Sequence, residues 1–238
     1  MKLSLILFFS LIYINGYTQR NNICGKVEYQ EYYQQDEPLY YILQFSELES
    51  IYESLFKIKE EGTIETIGGI IQPEIKSIYY NNLKEKELIF QEGIAFREVM
   101  TIDTIKALNW KIETETKEIG KYLCNKATTK FRGVDYVVWY TKQIPVSFGP
   151  WKFRGLEGLI LECYDIKNMY HIQANKITIE KNCTNVIKKI NKKNAISWYE
   201  YIELKKNEDK DIANYYNSLY AYPFVFLKFI PSMINPSN

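Results

Sequence analysis

A single histidine, His171, stands among 238 residues. One imidazole cannot build a histidine-rich zinc centre, and as a general base it needs a nucleophile that the fold must bring to it. No GxSxG elbow, phosphate loop ending in GK[ST], HExxH or EF-hand loop occurs. Serine-hydrolase, P-loop, zincin and calcium-sensor chemistries therefore have no local support. Carboxylates are plentiful but scattered, and their spacing singles out no acid–base pair. His171, set between Tyr170 and Ile172, reads as an ordinary cross-strand side chain. The expectation is a chain with no catalytic residue, no cofactor and no metal site.

Cysteine is scarce as well. Cys24, Cys124, Cys163 and Cys183 form no CxxC pair, and their density is too low for a disulfide-stapled scaffold. Four cysteines allow three complete pairings, among which sequence does not choose; buried free thiols are the other option. An excess of one charge is also lacking: 30 Lys and Arg face 29 Asp and Glu, so no basic field gathers nucleic acid. The one basic cluster, Lys188-Lys189 with Lys192-Lys193, reads as a solvated face. Asn182-Cys183-Thr184 matches the N-glycosylation pattern, which is short enough to arise by chance.

What is present begins with MKLSLILFFSLIYINGYTQ. Lys2 gives a positive start, Leu3 to Ile14 an apolar run, and Gly16 and Thr18 the small residues of a cleavage site. That run is too short to span a bilayer. The expectation is a secretory signal over 1–18 and one domain over 19–238, with no lipid-attachment cysteine and no spanning segment after cleavage. The protein then works in the periplasm or outside the cell. The tail YPFVFLKFIPSMINPSN is apolar but broken by Lys228 and Pro231, again too short to span.

Aromatics reach 16%, with 21 Tyr; tyrosine suits strands and half-buried surfaces, although codon usage that raises Tyr, Ile, Asn and Lys together is an equal account. In ICGKVEYQEYY the alternation of Val27, Tyr29 and Glu31 against Glu28 and Gln30 predicts a strand. Leu39 to Phe45 predicts another. Ser46 to Lys59 carries two signals: Leu48, Ile51, Tyr52 and Leu55 fit a helix with a capping box at Ser46 and Glu49, but the same residues fit a hairpin. Strands are expected over Ser77 to Tyr80 and Glu87 to Phe90, with turns at Asn81-Asn82 and at Gln91-Glu92-Gly93. A hairpin about Arg132-Gly133 joins Lys121–Phe131 to Val134–Thr141. In its second strand Val134, Tyr136, Val138 and Tyr140 share one face and Val137 and Trp139 the other. Both faces are apolar, so this strand lies inside a sandwich or lines a cavity. Asp165 to Asn168 turns a further hairpin, and Ile196, Tyr199 and Ile202, then Ile212, Tyr215, Tyr216 and Leu219, have helical spacing.

Gly149 to Glu162, GPWKFRGLEGLILE, concentrates glycine and proline. Gly149 and Pro150 mark a turn, Trp151 and Phe153 alternate about Lys152, and Gly155 and Gly158 are free to take positive φ about Leu156. Leu159 and Ile160 then open a buried strand. No helix with a leading Lys or Ser/Thr follows, so this is no phosphate cradle. Gly149, Pro150, Trp151, Phe153, Gly155, Leu156, Gly158, Leu159 and Ile160 form the candidate structural or binding motif; Val134, Tyr136, Val138, Trp139 and Tyr140 are the candidate cavity lining.

Cys124 to Ala127, Phe131 to Gly133, Trp139 to Thr141, Ile144-Pro145, Gly149 to Phe153 and Gly155 to Ile160 together resemble the signature of the GLPGLI family of exported bacterial proteins, with Glu157 where that name has proline. The resemblance implies a hairpin rather than a helix at 46–59 and carries no enzyme activity with it. The fold expected is β-rich α+β: a curved antiparallel sheet, half-barrel-like and similar to periplasmic lipoprotein carriers, with helices near the C-terminus. The function expected is a non-enzymatic envelope protein binding an apolar small molecule, or else an accessory protein contacting an envelope partner in outer-membrane uptake or assembly.

Overall fold

Period-two alternation and tyrosine-rich cross-strand pairing organise the molecule. The computed structural model describes residues 23–33, 37–55, 66–67, 70–71, 76–94, 97–103, 107–181, 183 and 187–207. In chain order the strands are β1 (Ile23–Tyr33), β2 (Leu39–Phe45), β3 (Glu49–Leu55), β4 (Thr66–Ile67), β5 (Ile70–Ile71), β6 (Ile78–Asn82) and β7 (Glu87–Ile94). There follow β8 (Arg97–Asp103), β9 (Lys111–Ile119), β10 (Tyr122–Phe131), β11 (Val134–Thr141), β12 (Leu159–Asp165), β13 (Tyr170–Lys181) and β14 (Ile196–Ser197). A helix, α1, is described over 198–207.

Among the described residues, twelve strands form one open sheet in the order β14-β8-β7-β6-β3-β2-β1-β13-β12-β11-β10-β9, and β4 and β5 form a separate small hairpin. Every pairing is antiparallel except β14 on β8. The β-rich architecture with a late helix is thus as the sequence implies. Ile212 to Leu219, the second helical pattern, lies outside the described residues, as does the segment 1–18 expected to be a leader. Among the described residues no helix is long and apolar enough to cross a membrane.

The sheet curls. Arg132, at the β10–β11 turn, is ion-paired to Asp103 of β8, although eight strands separate β8 from β10 in the sheet. Among the described residues the two flanks share no backbone strand pairing, and their inner faces enclose a core. An aromatic row crosses the inner face: Tyr29 lies opposite Tyr41, Tyr52 opposite Tyr79, and Tyr79 opposite Phe90. Tyr41 stacks on Tyr52 at 4.8 Å, and Phe90 meets Tyr201 of α1 edge-on at 5.0 Å. Such cross-strand aromatic pairs are the unit by which a sheet gains stability beyond area burial.

Residues 49–55 form the strand of the expected hairpin, paired to β2 and β6, so sheet pairing overrides the helical spacing there. Other local readings shift. Asn81 and Asn82 are buried strand residues; the turn comes after them, with the Asn82 side chain accepting from the Glu85 N–H at 2.9 Å. Gln91-Glu92-Gly93 is not a turn, because β7 runs through it to Ile94. In α1 the spacing holds but the face rotates: Tyr201 and Ile202 are buried whereas Tyr199 is 78% exposed, and Ile196 precedes the helix in β14. The β10–β11 hairpin turns where expected, with positive φ at both Arg132 and Gly133, the two-residue geometry that matches strand twist. Cys24 and Cys183 are joined by a disulfide, and Cys124 and Cys163 are free and buried.

The segment between β11 and β12 is irregular yet buried: Ile144, Val146, Phe148, Trp151, Phe153 and Leu156 are all within 4% exposure. Its backbone groups are satisfied locally, Gly155 N–H donating to Ser147 O, Leu159 N–H to Ile144 O and Ile160 N–H to Phe148 O. Gly155 takes φ +95° as expected. Gly158 does not need positive φ; it is required because an added Cβ would lie 2.2 Å from the Thr141 carbonyl oxygen. Gly158→Ala is expected to cost about 1–3 kcal/mol through this backbone clash, read as a lowered midpoint in urea unfolding at unchanged slope.

Candidate functional site

The curled sheet leaves a cleft of about 850 Å³ on its inner side. Its walls come from β1, β2, β6, β7, the turn and strand at 132–136, the irregular segment and α1. Alternation places the lining. Val27 and Tyr29 of β1 are buried, and Glu31, two residues on along the same face, reaches the cleft. Tyr41, Tyr79 and Tyr170 line it from neighbouring strands, and Trp151, Trp198 and Tyr201 face them.

Trp151 has φ +53° in a turn closed by the Phe153 N–H donating to Pro150 O. A bulky residue in the left-handed region costs on the order of 1–2 kcal/mol, offset here by packing on Phe131, Tyr136 and Phe153 at 5.2–6.2 Å between centroids. The turn directs Lys152 inward. Its ammonium sits 3.5 Å from the Phe90 ring centre and 5.2 Å from that of Trp198, and 3.7 Å from Glu92 Oε1. Burial lowers the Lys152 amine to about 8, with Glu92 opposing that shift. Glu92 accepts from the hydroxyls of Tyr79 at 2.8 Å and of Tyr201. Burial pushes its carboxyl upward, but Lys152, Lys205 and the two hydroxyls outweigh this and hold it below the ordinary carboxylate range.

Two further cations bridge the flanks. The Arg132 guanidinium lies 3.2 Å above the Trp198 ring while paired to Asp103. Arg154 donates to Asn81 Oδ1 at 3.3 Å, and its carbonyl accepts from Trp110 Nε1 at 2.9 Å. Asp165 shapes the far rim by accepting from the backbone N–H groups of Lys167, Met169 and Tyr170.

Of the residues singled out in the sequence, Val134, Tyr136 and Trp151 line the cleft. Val138, Tyr140, Phe153, Leu156, Leu159 and Ile160 are core residues, and Trp139 packs beneath Lys117 at 4.5 Å with its ring N–H unsatisfied. Gly149 is tight against Ile160, Pro150 closes the turn, and Gly155 and Gly158 shape the backbone as above. His171 lies 3.0 Å from Glu162, which also pairs with Lys117; none of the three lines the cleft. Sequence reading missed Glu31, Glu92, Arg132, Lys152 and Trp198 as a set. Glu31 was visible as a charged residue on an otherwise apolar strand face; no signal marked Glu92, which read as a turn.

An open twelve-stranded sheet curled about a charged, aromatic cleft is the class of structure. Residues 75–202 match the family described as "N-glycanase peptide, N-terminal domain", and the chain belongs to that family. Two crystal structures of PNGF-II, in space groups C2 and P21, share the fold at TM-score 0.51, with 17% and 18% identity, over 79% of this chain. The chain spans about a third of the length of PNGF-II, 33% and 34% in the two structures. No curated protein matches.

These findings correct the GLPGLI resemblance: the family that matches is that of N-glycanase N-terminal domains, and the similar folds are those of PNGF-II. The expectation that the chain serves to bind an apolar ligand falls with it. The cleft agrees, since Glu31, Glu92, Asp165, Arg132 and Lys152 all line it.

Lys152→Ala is expected to destabilise by about 3–5 kcal/mol because it leaves Glu92 without its paired ammonium. Lys152→Met combined with Glu92→Gln is expected to recover most of that loss, measured as a double-mutant cycle in guanidinium unfolding.

Proposed function

We propose that this chain holds an asparagine-linked glycan in the cleft and supplies the glycan-recognition part of an N-glycanase-type activity. The observation that carries the reading is the composition of the cleft: aromatic side chains of Trp151, Trp198, Tyr41 and Tyr79 interleaved with Glu31, Glu92, Asp165 and Arg132. A pyranose has the matching duality. Its C–H faces gain by burial against aromatic rings, and its hydroxyls need fixed donors and acceptors in a concave site. Membership of the N-glycanase N-terminal domain family supports the same direction.

An exported location suits this role. Residues 1–18 act as the leader and 19–238 form one exported domain, and the Cys24–Cys183 disulfide fits an oxidising compartment.

The test is isothermal titration of the chain with an asparagine-linked oligosaccharide, alongside an assay for glycan release from a denatured glycoprotein. Saturable binding that falls at least tenfold in Trp198→Ala, with the fold intact by circular dichroism, is expected. Wild-type protein that binds no glycan and releases none sinks the proposal.

A further inference from the structure

The two glutamates of the cleft occupy opposite electrostatic settings. Glu92 has a lysine ammonium at 3.7 Å and two tyrosine hydroxyls. Among the described residues Glu31 has tyrosine hydroxyls as its partners. Tyr52 donates to its Oε2 at 3.4 Å, and the Tyr170 hydroxyl is its other hydrogen-bond donor. Among the described residues the titratable groups that act on it are Tyr41 from β2, Tyr52 from β3, Tyr79 from β6, Glu92 from β7, Cys163 from β12 and Tyr170 from β13, while the cations Arg132, Lys152 and Lys205 line the same cleft. The four tyrosines and the cysteine are neutral at physiological pH at their ordinary values, which burial raises further, and Glu92 is an anion. No cation of the described residues forms an ion pair with Glu31.

We infer that Glu31 meets the glycan as a neutral carboxylic acid, donating a hydrogen bond to a sugar hydroxyl or acetamido carbonyl, so that binding in this cleft takes up a proton. The inference rests on the glycan reading above. A saccharide carries no charge to neutralise Glu31, yet by seating it strips away the water that solvates the carboxylate. Desolvation beside the fixed anion of Glu92 then penalises the ionised form further. A protonated carboxyl instead offers one donor and one acceptor, the complement of a sugar hydroxyl. The cost of carrying that proton is already small. Burial, with Glu92 adding to it and the hydroxyls of Tyr170 and Tyr52 opposing it, pushes Glu31 up to about 7 in the free protein. Environments that separate two neighbouring carboxyls in this way divide them into an acid and a permanent anion; here the acid is Glu31, and its role is to select the ligand.

The sign follows from linkage. A site that binds only the protonated acid loses affinity as pH rises through its titration, so Kd weakens about tenfold from pH 6 to pH 8. An ammonium-bearing ligand would give the reverse trend, because it pairs with the carboxylate.

The experiment has two parts on the full chain. Carbon-detected NMR follows the Glu31 carboxyl from pH 4 to 9 with and without an asparagine-linked oligosaccharide. Titration calorimetry of the same oligosaccharide at pH 6, 7 and 8, in two buffers of different ionisation enthalpy, counts protons. Expected are a midpoint near neutrality that rises with glycan, net proton uptake at pH 7 to 8, and binding by Glu31→Gln without uptake or pH dependence. A free-protein midpoint in the ordinary carboxylate range overturns the inference, as does pH-independent binding, tighter binding at pH 8, or uptake that persists in Glu31→Gln. Should that variant not fold, the wild-type titration and proton count decide. Absence of glycan binding at every pH sinks the glycan reading and this inference together, whereas binding without proton uptake sinks the inference alone.

Discussion

The ammonium of Lys152 is the constraint on which the rest of the site depends. A lysine 2% exposed survives at that depth only because the Phe90 face and the Glu92 carboxylate replace its lost hydration. Lys152 arrives from the segment between β11 and β12, and Phe90 and Glu92 belong to β7 on the opposite flank. The ion pair therefore ties a segment with no strand of its own to a strand six places away in the sheet. Arg132 with Asp103 and Arg154 with Asn81 repeat the same device nearby. A sheet that is not closed by backbone hydrogen bonds is held curled by side chains, and the cleft is the space this leaves.

That arrangement explains why a loop rich in glycine, proline and aromatics is among the most deeply buried parts of the molecule. The glycines admit close backbone approach at Gly149 and Gly158, the aromatics fill the interior, and the strain at Trp151 aims the lysine. Structure and recognition share residues here. A substitution in this segment changes cleft shape and fold stability together.

The strands were legible wherever alternation was clean. Val27, Tyr29 and Glu31 on one face of β1, the Arg132-Gly133 hairpin and the Asp165 turn follow from period and turn chemistry alone. Residues 49–55 obey helical and strand patterns equally, and long-range pairing with β6 decided between them. Gln91-Glu92-Gly93 misled because polar residues beside a glycine resemble a turn, whereas the structure uses Glu92 as a buried counter-ion and Gly93 as a cleft wall. The cleft was illegible for a related reason. Its charged members come from 31, 92, 132, 152 and 165, and no local spacing encodes a meeting that only the curl of the sheet brings about. The family assignment failed on similar ground, since short glycine-aromatic motifs report the demands of a buried turn more than they report descent.

The position of β1 sets the order in which this protein assembles. Its first described strand lies in the middle of the sheet, between β2 and β13, and the disulfide on it spans 159 residues of sequence. As the chain emerges N-terminus first, the β1–β2 hairpin has a partner at once, but the other edge of β1 stays bare until β13 is made. Such late, non-local pairing slows folding and leaves an aggregation-prone edge exposed meanwhile. The sheet built this way is complete around β1 only once β13 has been made, and a chain cut before β13 keeps that edge bare.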